Sequence, residues 1–160
     1  MTPITAMKLN HLSFPTDDVE ATTDFFATYL GFTVAMRAYP TFAFLKRPGF
    51  DVVIELAADQ SPTRKSITTP AAANAFRDCV SDDPGAIAWP MVFHVGFELP
   101  TVEDVRALYD RLTGDGYGAE SEVFNHDRGS RFMLRAPGGV LFEFNTRSDA
   151  ALEFQGTFNN

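Results

Sequence analysis

The chain is short of cysteine, of basic charge and of long apolar runs, and each shortage closes off a class of function. Its single cysteine, Cys79, cannot form a disulfide within the chain or build a thiolate cluster, so a bound metal would be held by imidazole and carboxylate. Thirteen Lys and Arg against 21 Asp and Glu give a net charge of −8. A phosphate backbone needs clustered cations, so no nucleic-acid partner is expected. No stretch approaches the roughly 18 consecutive apolar residues of a membrane span. Met1 to Lys8 has neither the basic start nor the apolar run of a signal peptide. A soluble, cytoplasmic protein without a membrane partner is the expectation. What is present suffices for one compact core: 160 residues, 45% hydrophobic, with 16 Phe, 4 Tyr and 1 Trp, most of the aromatics reading as core.

An internal repeat decides the expected architecture. Leu9-Asn10-His11-Leu12-Ser13-Phe14 reads as a strand, broken by Pro15 and followed by acidic residues that suit a helix start. From Val19 to Leu30 the residues Val19, Phe25, Phe26, Tyr29 and Leu30 form one helical face, and Gly31 stops it. The second half repeats the scheme. Val92-Phe93-His94-Val95-Gly96-Phe97 is the strand, Leu99-Pro100-Thr101 the break, and Val105, Leu108, Tyr109 and Leu112 the helical stripe, closed by Gly114 and Gly116. Each half ends alike, with a strand entering a Pro-Gly turn at Pro48-Gly49 and Pro137-Gly138 and a strand leaving it. The leaving strands, Asp51 to Leu56 and Val140 to Phe144, carry Glu55 and Glu143.

The predicted organisation is one domain over 1–160: module 1 at 8–56, a connecting segment at 57–90, module 2 at 91–147 and a tail at 148–160. The connection is rich in Ser, Thr, Pro, Ala and Asp, with a short helix predicted over Ala71 to Val80 and Trp89 as a pocket wall near His94. A connection of that length in a compact domain is characteristic of lids and linkers.

Each half therefore has a histidine on its first strand and a glutamate on its last. Singly, each reads as a surface or hydrogen-bonded residue. As matched pairs they point to a metal. Side chains alternate along a strand, so His11 shares a face with Ser13, His94 with Gly96 and Glu98, Glu55 with Val53, and Glu143 with Leu141 and Asn145. A carboxylate on a largely apolar face is costly unless a cation meets it. The imidazoles of His11 and His94 with the carboxylates of Glu55 and Glu143 suit Zn, Ni, Co, Mn or Fe(II) and leave positions open for substrate oxygens.

At these residues the chain resembles the vicinal oxygen chelate superfamily, which includes glyoxalase I, extradiol dioxygenases, fosfomycin-resistance proteins and bleomycin-binding proteins. The resemblance lies in Asn10-His11-Leu12-Ser13-Phe14 with Asp24-Phe25-Phe26 and Leu30-Gly31-Phe32, in Phe93-His94-Val95-Gly96-Phe97, and in Ala136 to Phe144. It implies an α+β fold of two βαβββ modules, forming a pair of curved four-stranded sheets around a metal. It also implies His11, His94 and Glu143 as ligands, with Glu55 at the position of the further glutamate of glyoxalase I. The chemistry it implies is chelation of two neighbouring substrate oxygens, the metal acting as Lewis acid.

Three functions follow as expectations. A glyoxalase-like lyase or isomerase would use Glu143 or Glu55 to move a proton between adjacent carbons. An Fe(II) ring-cleaving dioxygenase would need only His11, His94 and Glu143. A metal-free small-molecule or antibiotic-binding protein would use an aromatic pocket and turn nothing over. Arg37, Tyr39, His126, Arg128 and Arg131 lie on strands or loops that could border the site, and Arg131 could pair with a substrate carboxylate, but each reads first as a surface residue. His126 lies in a turn-like segment, and Cys79 has no base beside it that would make it a nucleophile. Strand edges in such half-barrels invite a partner, so a homodimer is expected.

Overall fold

The computed structural model describes residues 9–56 and 93–158. These fall into two compact units, one within Met1–Ile87 and one within Ala88–Asn160. Trp89, Cys79 and the helix expected over Ala71 to Val80 lie outside the described residues. No helix among the described residues is long and apolar enough to cross a membrane.

The first unit runs β1 (His11–Thr16), α1 (Val19–Tyr29), β2 (Thr33–Ala38), β3 (Phe42–Arg47) and β4 (Phe50–Leu56). Its four-stranded sheet has the order β1-β4-β3-β2, with β1 and β4 parallel and the other pairs antiparallel. Alternation does the sorting. Phe14, Thr16, Ala43, Leu45, Val52 and Ile54 are buried on one face, while His11, Ser13 and Glu55 are exposed on the other.

Asp18 caps α1 by accepting the Ala21 N–H at 2.9 Å, which satisfies one of the amides a helix start leaves unpaired. The predicted stripe is wider than apolar residues alone suggested, because Thr22 and Thr23 are buried too. Their hydroxyls donate back to the carbonyls of Asp18 and Val19 at 2.7 and 2.6 Å, so neither carries an unsatisfied donor inward. Phe25 and Phe26 are wholly enclosed. Burial of each contributes roughly 1.5–3 kcal/mol, and Phe26 packs its ring 5.4 Å from Phe14 and 5.5 Å from Phe32.

The second unit runs β5 (His94–Glu98), α2 (Val102–Gly114), β6 (Arg131–Arg135), β7 (Leu141–Asn145) and α3 (Leu152–Phe158). Here too the first strand pairs in parallel with the last, in the order β5-β7-β6. Thr101 and Asp104 form a reciprocal cap at the start of α2, each side chain accepting the other's backbone N–H at 3.1 Å. Val105 and Leu112 are fully buried, and Tyr109 sets its ring edge-on to Phe132 at 5.3 Å. Under the helix, Phe132, Leu134, Phe142 and Phe144 fill the covered face of the sheet.

The α+β class and the two-module plan are as expected, but the second sheet has three strands where four were expected. The stretch after α2 meets β6 only at isolated bridges, Ala119 with Leu134 and Phe124 with Arg131. Between them the Ser121 hydroxyl accepts the Met133 N–H at 3.0 Å, so a side chain takes the place of a ladder carbonyl. Gly116, Gly118 and Ser121 also have weak strand preference. The tail at 148–160 carries α3.

Candidate metal centre

In the first unit the parallel register sets His11 opposite Asp51 and Ser13 opposite Val53. His11 Nδ1 lies 2.8 Å from Asn10 Oδ1. A carbonyl oxygen only accepts, so Nδ1 carries the proton and Nε2 keeps the lone pair that a metal would take. Ser13 Oγ donates to Glu55 Oε2 at 2.6 Å, which shows that Ser13 and Glu55 share the exposed face. The role of Ser13 was not anticipated beyond its shared face with His11.

In the second unit His94 stands opposite Leu141, and Gly96 opposite Glu143. His94 Nε2 lies 3.6 Å from Glu143 Oε2. Two donors each ~2.1 Å from a tetrahedral ion stand about 3.4 Å apart, so this pair fits the edge of a divalent metal's coordination shell. Gly96 keeps the face open beside them: a Cβ there would meet only Asn145 Nδ2, at 3.7 Å.

The other oxygen of Glu143 is already engaged. Oε1 accepts from Arg131 Nη1 at 2.9 Å and from Asn145 Nδ2 at 2.9 Å. Only 7% of the Arg131 side chain and 13% of that of Glu143 are exposed. Arg131 thus proves to be a buried partner of Glu143, where a surface residue was expected. Its guanidinium is held from behind, since Nε donates to the Gly129 carbonyl at 3.2 Å.

The remaining border residues take ordinary positions. Arg37 is exposed on β2 and Arg128 is exposed in the 125–130 loop. His126 Nδ1 accepts the Arg128 N–H at 3.2 Å and shapes that loop. Tyr39 is half-buried, with its hydroxyl enclosed and without a hydrogen-bond partner among the described residues.

The two His and Glu pairs are not equivalent in register. Glu143 is opposite the residue two on from His94, whereas Glu55 is opposite Pro15, four on from His11. Two residues of strand advance by about 6.6 Å. Glu55 is therefore displaced along its sheet relative to Glu143, and it meets Ser13. Within neither unit do three or more His, Cys, Asp or Glu side chains gather as a ready-made metal cluster among the described residues.

A family model described as the Glyoxalase/Bleomycin resistance protein/Dioxygenase superfamily matches residues 8–144. The chain belongs to this superfamily. The match spans both modules and so takes in His11, Glu55, His94 and Glu143. Solved structures with a similar fold include a possible glyoxalase from Bacillus cereus, at 24% identity over 88% of this chain and 99% of that one, with a TM-score of 0.63. A glyoxalase/bleomycin resistance protein/dioxygenase from Nocardioides is 22% identical over 90% of this chain and 85% of that one, with a TM-score of 0.64. A lactoylglutathione lyase from Agrobacterium tumefaciens is 15% identical over 91% and 96%, with a TM-score of 0.56. No curated protein matches the chain. Among superfamily members a metal is typical, and in the second unit the imidazole of His94 and the carboxylate of Glu143 are donors of the kind a divalent metal takes.

Proposed function

We propose that the chain is a metal-dependent, glyoxalase-like lyase or isomerase acting on a small substrate with two neighbouring oxygens. His11, Glu55, His94 and Glu143 would hold the ion, Zn, Ni, Co, Mn or Fe. The observation that carries this reading is the 3.6 Å approach of His94 Nε2 to Glu143 Oε2, on a face kept open by Gly96. Superfamily membership and the fold shared with a lactoylglutathione lyase support it.

When bound, the metal would serve as a Lewis acid toward charge developing on the two substrate oxygens. The chain's own residues supply the rest. Asn10 Oδ1, 2.8 Å from His11 Nδ1, favours the tautomer protonated there, in which Nε2 would keep the lone pair for a metal. Glu55 or Glu143 takes a proton from one carbon of the substrate and returns it to its neighbour, which requires hydrogen-bond reach of that carbon. Glu55→Gln and Glu143→Gln should both abolish isomerase turnover while the far-ultraviolet circular dichroism stays unchanged. Full activity in both variants would exclude the proposal.

One observation favours a second reading. With Glu55 displaced along its own sheet and bonded to Ser13, His11, His94 and Glu143 alone would make a two-histidine, one-carboxylate set, the ligand pattern of Fe(II) oxygenases. That reading predicts oxygen uptake with a catechol and a Glu55→Gln variant as active as the parent. The homodimer expected from the exposed strand edges is part of the same proposal.

A further inference from the structure

The two carboxylates of the proposed centre are held very differently. Glu55 is exposed on β4 and receives one bond from a neutral hydroxyl, Ser13 Oγ. Glu143 is largely enclosed, and its Oε1 receives a charged donor and an amide donor, Arg131 Nη1 and Asn145 Nδ2. Bonds from a charged donor are roughly twice as strong as neutral ones.

The Arg131 guanidinium is itself fixed. Arg131 lies across from Asn145 in the β6–β7 register, with Met133 across from Glu143. Its Nε is tied to the Gly129 carbonyl. Gly129 is placed by a close approach of two backbones: φ is +102°, and a Cβ would fall 1.9 Å from the Thr146 oxygen. A rigid loop thus holds Arg131, Arg131 holds Oε1, and Oε2 is the oxygen left on the His94 side.

We infer that Arg131 is a positioning residue that, with Asn145, ties down one oxygen of Glu143 so that the other is presented with His94 to a divalent metal. This rests on the metal-dependent reading above. Two effects of Arg131 oppose each other. Its charge repels a dication, while its bond removes the rotational freedom that Glu143 would otherwise lose on binding. The bond to Arg131 spends only Oε1, so the account commits to positioning as the larger effect. Partners that orient a metal ligand in this way typically change affinity 10- to 100-fold when removed.

The test uses the full-length protein, stripped and titrated with Zn2+ or Co2+ in competition with a chromophoric chelator, and a thermal melt of each apo variant. Arg131→Met should bind about 10- to 100-fold more weakly. Arg131→Lys, which keeps the charge but loses the tie to Gly129, should fall between Arg131→Met and the parent. Asn145→Ala should lose about threefold to tenfold, as one neutral bond is worth. Glu143→Gln should lose more than Arg131→Met.

If Arg131→Met does not fold, the Lys and Asn145→Ala variants carry the test. Unchanged or tighter binding in folded Arg131 variants overturns the inference and leaves the metal-dependent reading intact. A parent protein that binds neither metal overturns the metal-dependent reading, and the inference falls with it.

Discussion

Replacing Gly129 with alanine tests the structural support of the proposed centre by a route whose size can be worked out in advance. Gly129 has φ +102°, and an added Cβ would lie 1.9 Å from Thr146 O, 3.0 Å from Thr146 C and 3.2 Å from Arg147 Cα. All three are backbone atoms, so no side chain can swing aside. Thr146 is fully buried and its N–H donates to Ser130 O at 2.9 Å, which anchors the strand end that would have to retreat. The left-handed backbone costs an alanine about 1 kcal/mol, and forcing atoms into a packed site costs about 1–3 kcal/mol more. A total near 3 kcal/mol corresponds to a drop of about 6–12 °C in the melting temperature of a chain this size.

Gly49 provides the control. Its φ is +108°, but nothing lies within 4 Å of the position its Cβ would take. Gly49→Ala should therefore cost only the backbone part, about 1 kcal/mol. Urea denaturation of both variants separates conformation from clash. A Gly129→Ala penalty no larger than that of Gly49→Ala would refute the reasoning. Gly129 O also accepts from Arg131, so the folded variant should bind metal more weakly than the parent, whereas Gly49→Ala should not.

Three further outcomes follow. Burial alone would raise the Asp149 pKa, but hydrogen bonds from the Ser130 side chain and backbone and from Asn125 outweigh it and hold the carboxyl below its usual value. A lowered folded-state pKa gives stability that is present above about pH 4 and is lost as pH falls through the folded value. Asp149→Asn should therefore melt lower than the parent at pH 7 and show a smaller decline on acidification below pH 4. Thr101→Ala removes the acceptor for the Asp104 N–H at the start of α2 and should cost about 1 kcal/mol in urea denaturation. Light scattering of the purified protein should give the mass of a homodimer; a monomer at micromolar concentration would contradict that part of the proposal.

The histidines and glutamates were legible because strands announce themselves by composition and alternation. The boundaries were less so: β1 and β5 begin at His11 and His94, two residues later than their apolar runs suggest, which puts each histidine at a strand's first position. The unequal register of Glu55 and Glu143 was not legible at all. It lies in the parallel pairing of β1 with β4 and of β5 with β7, strands far apart in sequence whose alignment no local turn sets. The engagement of Arg131 with Glu143 was missed for a related reason, because it requires knowing which rung of β6 faces which rung of β7. The absent strand in the second sheet turns on Ser121 intercepting one amide, a tertiary detail that hydrophobic patterning does not encode.

Whether the histidines of both modules hold one ion, as proposed, can be read from elemental analysis of the purified protein beside His11→Ala and His94→Ala. About one divalent metal per chain is expected in the parent, with its loss in both variants. A parent that takes up no metal even after reconstitution, or variants that retain the full amount, would contradict the proposal.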